Sequence, residues 1–372
     1  MKIAIACHPT QGGSGIVATE LAMGLAGRGH EVHLISYDRP FRLPQDAPVR
    51  FHRVNVPDYP LFRFPPHDLS LVNKYVEVIC DHDLDIVHAH YAVPHAMCAI
   101  LANNVVQPHR VRIVATLHGT DITLVGSHPD FFKVCRHTML EADGLTAVSM
   151  WLRERTLHKF RIPRAPDVIH NFVEVERFHP RGRAPYPAQG PFQIVHVSNF
   201  RPVKRTADVV RVFHAISKAL PARLVLAGEG PDLGLARELC AELGISERVE
   251  YAGARIRIEE LLRQSHLFLL LSDYESFGLS ALEAMACGTP VAVSRAGGLG
   301  EVVEDGETGL LCPVGGVEET ARRCAELLKD RERWERTGER AWRTAHDRFP
   351  AAKLVAAYEE YYEEILSRGR ME

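Results

Sequence analysis

Short, unbroken apolar runs alternating with helix-length stretches are the feature that most limits what this 372-residue chain can fold into. Leu267-Phe-Leu-Leu-Leu271 carries no polar residue on either side of a strand's two-residue alternation, so both of its faces must be covered, as in a parallel sheet. Similar runs occur at Lys2–Cys7, Glu31–Ser36, Asp85–His88, Arg112–Leu117 and Leu145–Val148, then at Phe192–Ser198, Ala222–Ala227, Val249–Tyr251 and Pro290–Ser294. Helices fit between them, for example at Gly15–Arg28, Lys204–Ala219 and Ile258–Gln264. Alternating strands and helices of this kind predict an α/β chain with parallel sheets. Phe178–Gly190, dense in Pro and Gly, is the expected linker between two Rossmann-like domains. Ligands of such domains sit beyond the carboxyl ends of the strands, here in the cleft where the two sets face each other. The expected division is residues 1–170, residues 171–348, and a C-terminal helix over 349–372 crossing back to the first domain. That helix is read from the spacing of Leu354, Ala357, Tyr358, Tyr361 and Ile365.

A net charge of -3 gives no global attraction to nucleic acid or an anionic membrane. No apolar run reaches the roughly 20 residues of a membrane span. Met1–Cys7 runs straight into Gly12-Gly-Ser-Gly15 and reads as a first core strand rather than a leader. The 8 cysteines sit mostly in apolar segments without paired spacing, as reduced residues of a cytoplasmic protein would. His88, His90, His95 and His118 have no zinc spacing, and no metal site is expected.

The stretch Ser272–Pro290 carries the chemistry. A loop acid, Glu275, follows the buried strand. A helix begins near Leu279, and a second acid, Glu283, lies two turns along it before Gly288 and Pro290 end it. The amides of Ser276, Phe277, Gly278 and Leu279 would point out of the helix start, an arrangement that binds phosphate. A carboxylate beside the anion and another deeper suit a sugar hydroxyl and a ribose diol. An unpaired charge at Glu283, between Leu282 and Met285, would be costly without such a partner. Gly12 and Gly13 let backbone approach a diphosphate without Cβ obstruction, and Ser14 adds a donor.

With these residues laid out, the chain resembles a GT-B glycosyltransferase of the retaining family 4 type along nearly its whole length. The resemblance rests on the Glu275–Glu283 segment, Gly12-Gly13, His118-Gly-Thr-Asp121, Ser198-Asn-Phe-Arg-Pro-Val-Lys204 and Gly228-Glu-Gly-Pro231. It implies two Rossmann-like domains, an acceptor-binding one first and a UDP-sugar-binding one second. Arg201 and Lys204 would stabilise departing UDP. The family's usual arginine, five residues before the lysine, is replaced by Asn199, so Arg201 must substitute. Glu275 would accept a bond from a donor-sugar hydroxyl, Glu283 from the ribose, and His118 would approach the sugar at its 6-hydroxyl. Asn171 is a candidate sugar contact, and Ile256 would meet uracil through its backbone.

Within the family, Gly12-Gly-Ser-Gly15, Pro40-Phe-Arg-Leu43, His88–His95 and Thr116–Thr123 resemble the members that transfer N-acetylglucosamine from UDP to L-malate, the first step of bacillithiol synthesis. On that resemblance Ser14, Tyr91, Thr120, Arg42 and Arg257 are acceptor candidates. UDP-N-acetylglucosamine and L-malate are then substrates, no cofactor is needed, and a homodimer is compatible. Metal-independent catalysis is expected because no Asp-x-Asp string is suitably placed. Two rival readings share the fold. One is transfer of another sugar to a lipid or glycan at a membrane, for which Tyr59–Phe64 is the only candidate contact. The other is a non-catalytic nucleotide-binding module.

Overall fold

The computed structural model describes residues 1–10, 12–58, 63–188 and 190–368. Residues 59–62 of the Tyr59–Phe64 segment therefore lie outside the described residues. The chain divides into two compact units: Met1–Asn171 with the chain from Ala351 onward, and Phe172–Pro350.

Seven strands build the sheet of the first unit: β1 (Lys2–Ala6), β2 (Glu31–Ser36), β3 (Arg50–Arg53), β4 (Ile86–His90), β5 (Arg112–Leu117), β6 (Gly144–Ala147) and β7 (Asp167–Val168). Their order is β3-β2-β1-β4-β5-β6-β7, and every pairing is parallel. Ile3, Ala4, Ile5 and Ala6 are all fully buried, which is why β1 is apolar from Ile3 onward. The C-terminal helix Ala351–Ser367 is part of this unit. Its Val355 packs so closely on Gly24 that a Cβ there would come within 2.8 Å of it. Tyr361 accepts from the Leu145 amide at 2.9 Å, and Tyr362 meets His88 at 2.7 Å.

Six strands build the second sheet: β8 (Phe192–Val197), β9 (Ala222–Ala227), β10 (Val249–Gly253), β11 (Leu267–Leu270), β12 (Val291–Ser294) and β13 (Gly309–Cys312). Their order is β10-β9-β8-β11-β12-β13, again all parallel. The helix Thr206–Ala219 buries Val209, Val210, Val212, Phe213 and Ile216 against this sheet, a broad apolar stripe at helical spacing. Each such side chain contributes roughly 1.5–3 kcal/mol through burial.

Two expectations are corrected. Phe178–Gly190 is no free linker: Arg183 lies over the Trp334 ring at 4.0 Å, and Tyr186 donates to the Leu328 carbonyl at 2.7 Å. Its prolines shape a strap that covers the second unit's core. The units meet in sequence after Asn171 and again before Ala351. The helix expected from Lys204 starts at Thr206, because Arg205 adopts a left-handed φ of 48° that ends the short turn Pro202–Lys204.

Candidate functional site

Strand order explains where the chemistry gathers. In each sheet the chain runs outward one way from the first strand and then returns to continue on its other side. The reversal falls between β1 and β4 in the first unit and between β8 and β11 in the second. Such a switch point leaves a crevice beyond the strand ends, because adjacent connections leave in opposite directions. Gly12, Gly13, Ser14 and Tyr91 follow the first pair of strands, and Arg201, Lys204, Glu275 and Glu283 follow the second.

In the second unit the loops after β8 and β11 are tied together. The Asp273 amide donates to the Val203 carbonyl at 2.9 Å, and Arg205 pairs with Asp273 at 2.8 Å. Lys204 Nζ stands 2.6 Å from Glu275 Oε1, which also accepts from the Ser272 hydroxyl at 2.7 Å. Ser272 is itself held, its carbonyl accepting from Ser294 at 2.6 Å. Behind Glu275 the chain is pinned by the Gly298 amide at 2.8 Å. A Cβ on Gly297 would stand 1.9 Å from the Glu275 carbonyl oxygen, so only glycine admits this approach. Gly278, at a φ of 94°, turns the chain into the helix Leu279–Ala286. The first amides of that helix have no acceptor within it. Phe277 and Leu279 are buried beside them, and Glu283 lies on the same helix at 4% exposure. Ser276 is half-buried and Arg201 is exposed.

The structure therefore brings Lys204, Glu275 and the start of the Glu283 helix together, with Arg201 on the same β8 loop. Ile256 and Arg257 belong to the exposed loop after β10. The Ile256 carbonyl accepts from Arg177, and Arg257 pairs with Glu260 at 3.2 Å.

In the first unit Gly12 precedes the helix Gly13–Gly27 and leaves its first turn facing the end of β1. A Cβ on Gly15 would meet the His8 carbonyl oxygen at 2.6 Å, so the helix start is pressed onto the β1 loop, with Ser14 buried in it. Tyr91 is the first residue after β4, at a φ of 94°. Its ring lies 5.4 Å from that of His118 and 5.5 Å from that of His8.

His118 follows β5 and meets His90 Nδ1 through Nε2 at 2.8 Å. Burial lowers its pKa to about 3, so the ring is neutral at neutral pH. Asp121 organises the turn below it. One carboxylate oxygen accepts from the Gly119 amide at 2.8 Å and the His118 amide at 3.2 Å. Burial nevertheless raises this carboxyl to about 6. Thr120 begins the short helix that this turn starts.

Arg42 corrects a further expectation. It is buried against Glu20 at 2.8 Å, so its charge is already met by a carboxylate rather than held for an acceptor. Asn171 is buried, and its Oδ1 has no hydrogen-bond partner among the described residues.

Residue spacing did not single out Ser272, Gly297, His90 or Asp121 as supports. His90 was legible in principle, because it pairs in register with Thr116, two residues before His118.

Comparison with known proteins adds an independent line. Residues 11–177 match the model of Glycosyltransferase Family 4, and residues 182–344 that of Glycosyl transferases group 1. The chain is 42% identical over 372 residues to the N-acetyl-alpha-D-glucosaminyl L-malate synthase of Bacillus anthracis, covering 98% of this chain and 97% of that one. Among solved structures, the Anabaena HepE protein in complex with UDP-glucose superposes with a TM-score of 0.81 at 20% identity, over 98% of this chain and 100% of that one. A glycosyltransferase from Rickettsia africae superposes with a TM-score of 0.80 at 21% identity, over 99% of each chain.

Proposed function

The chain belongs to glycosyltransferase family 4, and on that premise we propose that it moves N-acetylglucosamine from UDP to the hydroxyl of L-malate with retention at the anomeric carbon. The observation that carries the substrate assignment is the 42% identity, over almost all of both chains, with a protein named for that product.

The second unit holds the donor. As the bond from the anomeric carbon to the β-phosphate oxygen breaks, negative charge grows on UDP. Lys204, Arg201 and the helix-start amides from Ser276 to Leu279 are fixed donors for that charge. Lys204 is already oriented by Glu275, so little reorganisation is needed at the moment of reaction. Glu275 keeps a second oxygen for a sugar hydroxyl, and Glu283 takes the ribose. The bases of this reading are charge and position rather than covalent catalysis. The malate oxygen attacks the face the phosphate leaves, and its proton passes to the departing phosphate oxygen. The step is thus balanced without a protein nucleophile, and no metal or cofactor enters it.

The first unit holds the acceptor and supplies neutral His118 to the sugar. The hydroxyls of Ser14, Tyr91 and Thr120 are the donors for malate carboxylates, with Asn171 a further sugar contact and Gly12 and Gly13 admitting phosphate. Arg257 is a secondary candidate at an exposed position. No helix among the described residues is long and apolar enough to cross a membrane.

Incubation with UDP-N-acetylglucosamine and L-malate tests the reading. Release of UDP that depends on malate supports it. Release only with another acceptor moves the assignment within the family, and donor binding without turnover would mark a binding module.

A further inference from the structure

Away from this chemistry, three imidazoles from three separate elements converge at the free edge of the first unit's sheet. His33 lies on β2, His52 on the edge strand β3, and His82 ends the helix His67–His82. In the β2–β3 register His33 faces Arg50 and Ile35 faces His52, so both histidines stand on one face of the sheet. The helix packs on that same face through Leu71, Val72, Tyr75, Val78 and Ile79. His33 is fully buried, and the other two are half-buried.

We propose that His33, His52 and His82 form a binding site for a divalent late transition metal of the zinc or nickel class, which fastens the edge strand and the helix end to β2. One ligand atom from each ring lies within 4.8 Å of the others. His33 Nδ1 and His52 Nε2 are already 2.9 Å apart. Tetrahedral zinc at about 2.0–2.1 Å from each nitrogen needs roughly 3.3 Å between ligand atoms, so small ring rotations complete the geometry. Imidazole suits these metals, and solvent supplies the fourth position.

The surroundings favour a ligand over a plain packing cluster. Glu31 Oε1 stands 3.3 Å from His33 Nε2, and Arg50 holds the same carboxylate oxygen at 2.7 Å. A neutral imidazole that donates from Nε2 presents a lone pair at Nδ1, the atom that faces the other rings. A carboxylate behind a histidine in this way is the outer-shell arrangement that orients metal ligands. The triad includes none of the residues assigned to sugar transfer, so a metal here is structural.

The test uses the full chain stripped with chelator and titrated with zinc by calorimetry, with thermal unfolding followed in parallel. The expected result is one equivalent per chain and a raised unfolding midpoint. The Glu31→Gln variant should weaken that binding about 10–100-fold, as loss of an outer-shell partner does. His82→Gln, a change at a half-buried helix end, should abolish the stoichiometric site while the metal-free protein unfolds as the wild type does. Cobalt(II) should give the visible absorption of a four-coordinate site in the wild type and not in His82→Gln. Absence of a stoichiometric site in the wild type overturns the proposal. So does zinc binding that persists unchanged in both variants, since the metal would then sit on other histidines of the surface.

Discussion

Acid should destabilise the first unit through its buried imidazoles. His88, His90 and His95 are fully buried there, and burial pushes His88 and His95 down to about 3 and His90 well below its usual value. In the unfolded chain each takes up a proton near pH 6.5, while the folded unit refuses it. The stability these residues contribute is therefore complete above about 6.5 and lost as pH falls below it. Between about pH 7 and about pH 5.5 the loss is about 1 kcal/mol for each imidazole, because any folded value far below 5.5 leaves only the unfolded-state titration to count. Asp121 acts in the opposite sense. Its carboxyl is raised to about 6, so protonation in the folded state on acidification returns less than about 1 kcal/mol over the same range. The net loss from these groups is a few kcal/mol, and His118, lowered to about 3 in the same unit, adds to it; that is a large share of the roughly 5–15 kcal/mol that holds a typical domain. Urea unfolding at the two pH values, followed by circular dichroism, measures it. The His88→Gln variant keeps polar atoms for Tyr362 and Thr116 and should lower the pH dependence by the share of one proton. Equal stability at both values, or native-state proton resonances of these rings titrating near 6.5, would refute the reasoning.

Other perturbations report on the site. Lys204→Ala should lower kcat on the order of 10²-fold or more with a smaller effect on donor KM, because the lysine meets charge that grows in the transition state. Initial-rate kinetics over a donor series decide between this and a uniform binding loss. Gly297→Ala places a Cβ 1.9 Å from the Glu275 carbonyl oxygen at a φ of 64°, and should cost about 1–3 kcal/mol of stability together with turnover, read from thermal unfolding and kcat. Excess chelator should leave turnover intact, while restoration by added magnesium or manganese of an activity that chelator removed would contradict metal-independent transfer.

Much of this was legible in the residues, and the gaps have physical causes. β11 was readable because a strand covered on both faces is apolar throughout, and β1 and β8 because they are largely so. β3, with the sequence Arg50-Phe-His-Arg53, was not: an edge strand has one uncovered side and tolerates polar residues, so its periodicity is weak. Glu275 and the Glu283 helix stood out because an acid on a largely apolar helix needs a reason. Strand order did not, since it is set by long-range packing, and only that order shows why the β8 and β11 loops meet. The Lys204–Glu275 pair spans 71 residues of chain and leaves no local spacing. The same holds for His33 and His52, 19 residues apart on neighbouring strands. The proline-dense strap at Phe178–Gly190 misled for the converse reason. Proline marks rigid turns whether the chain then leaves a domain or wraps it.

Acceptor choice separates transfer to L-malate from transfer to another acceptor within the same fold. Lactate keeps the nucleophilic hydroxyl of malate and lacks one carboxylate. A pocket built for two carboxylates would leave a polar group unmatched, and such mismatches discriminate strongly. The measurement is kcat/KM for L-malate against L-lactate with UDP-N-acetylglucosamine as donor, in the wild type and in Tyr91→Phe. The account predicts a strong wild-type preference for malate that Tyr91→Phe erodes while donor binding stays nearly intact. Equal efficiency with the two acids in the wild type would contradict it.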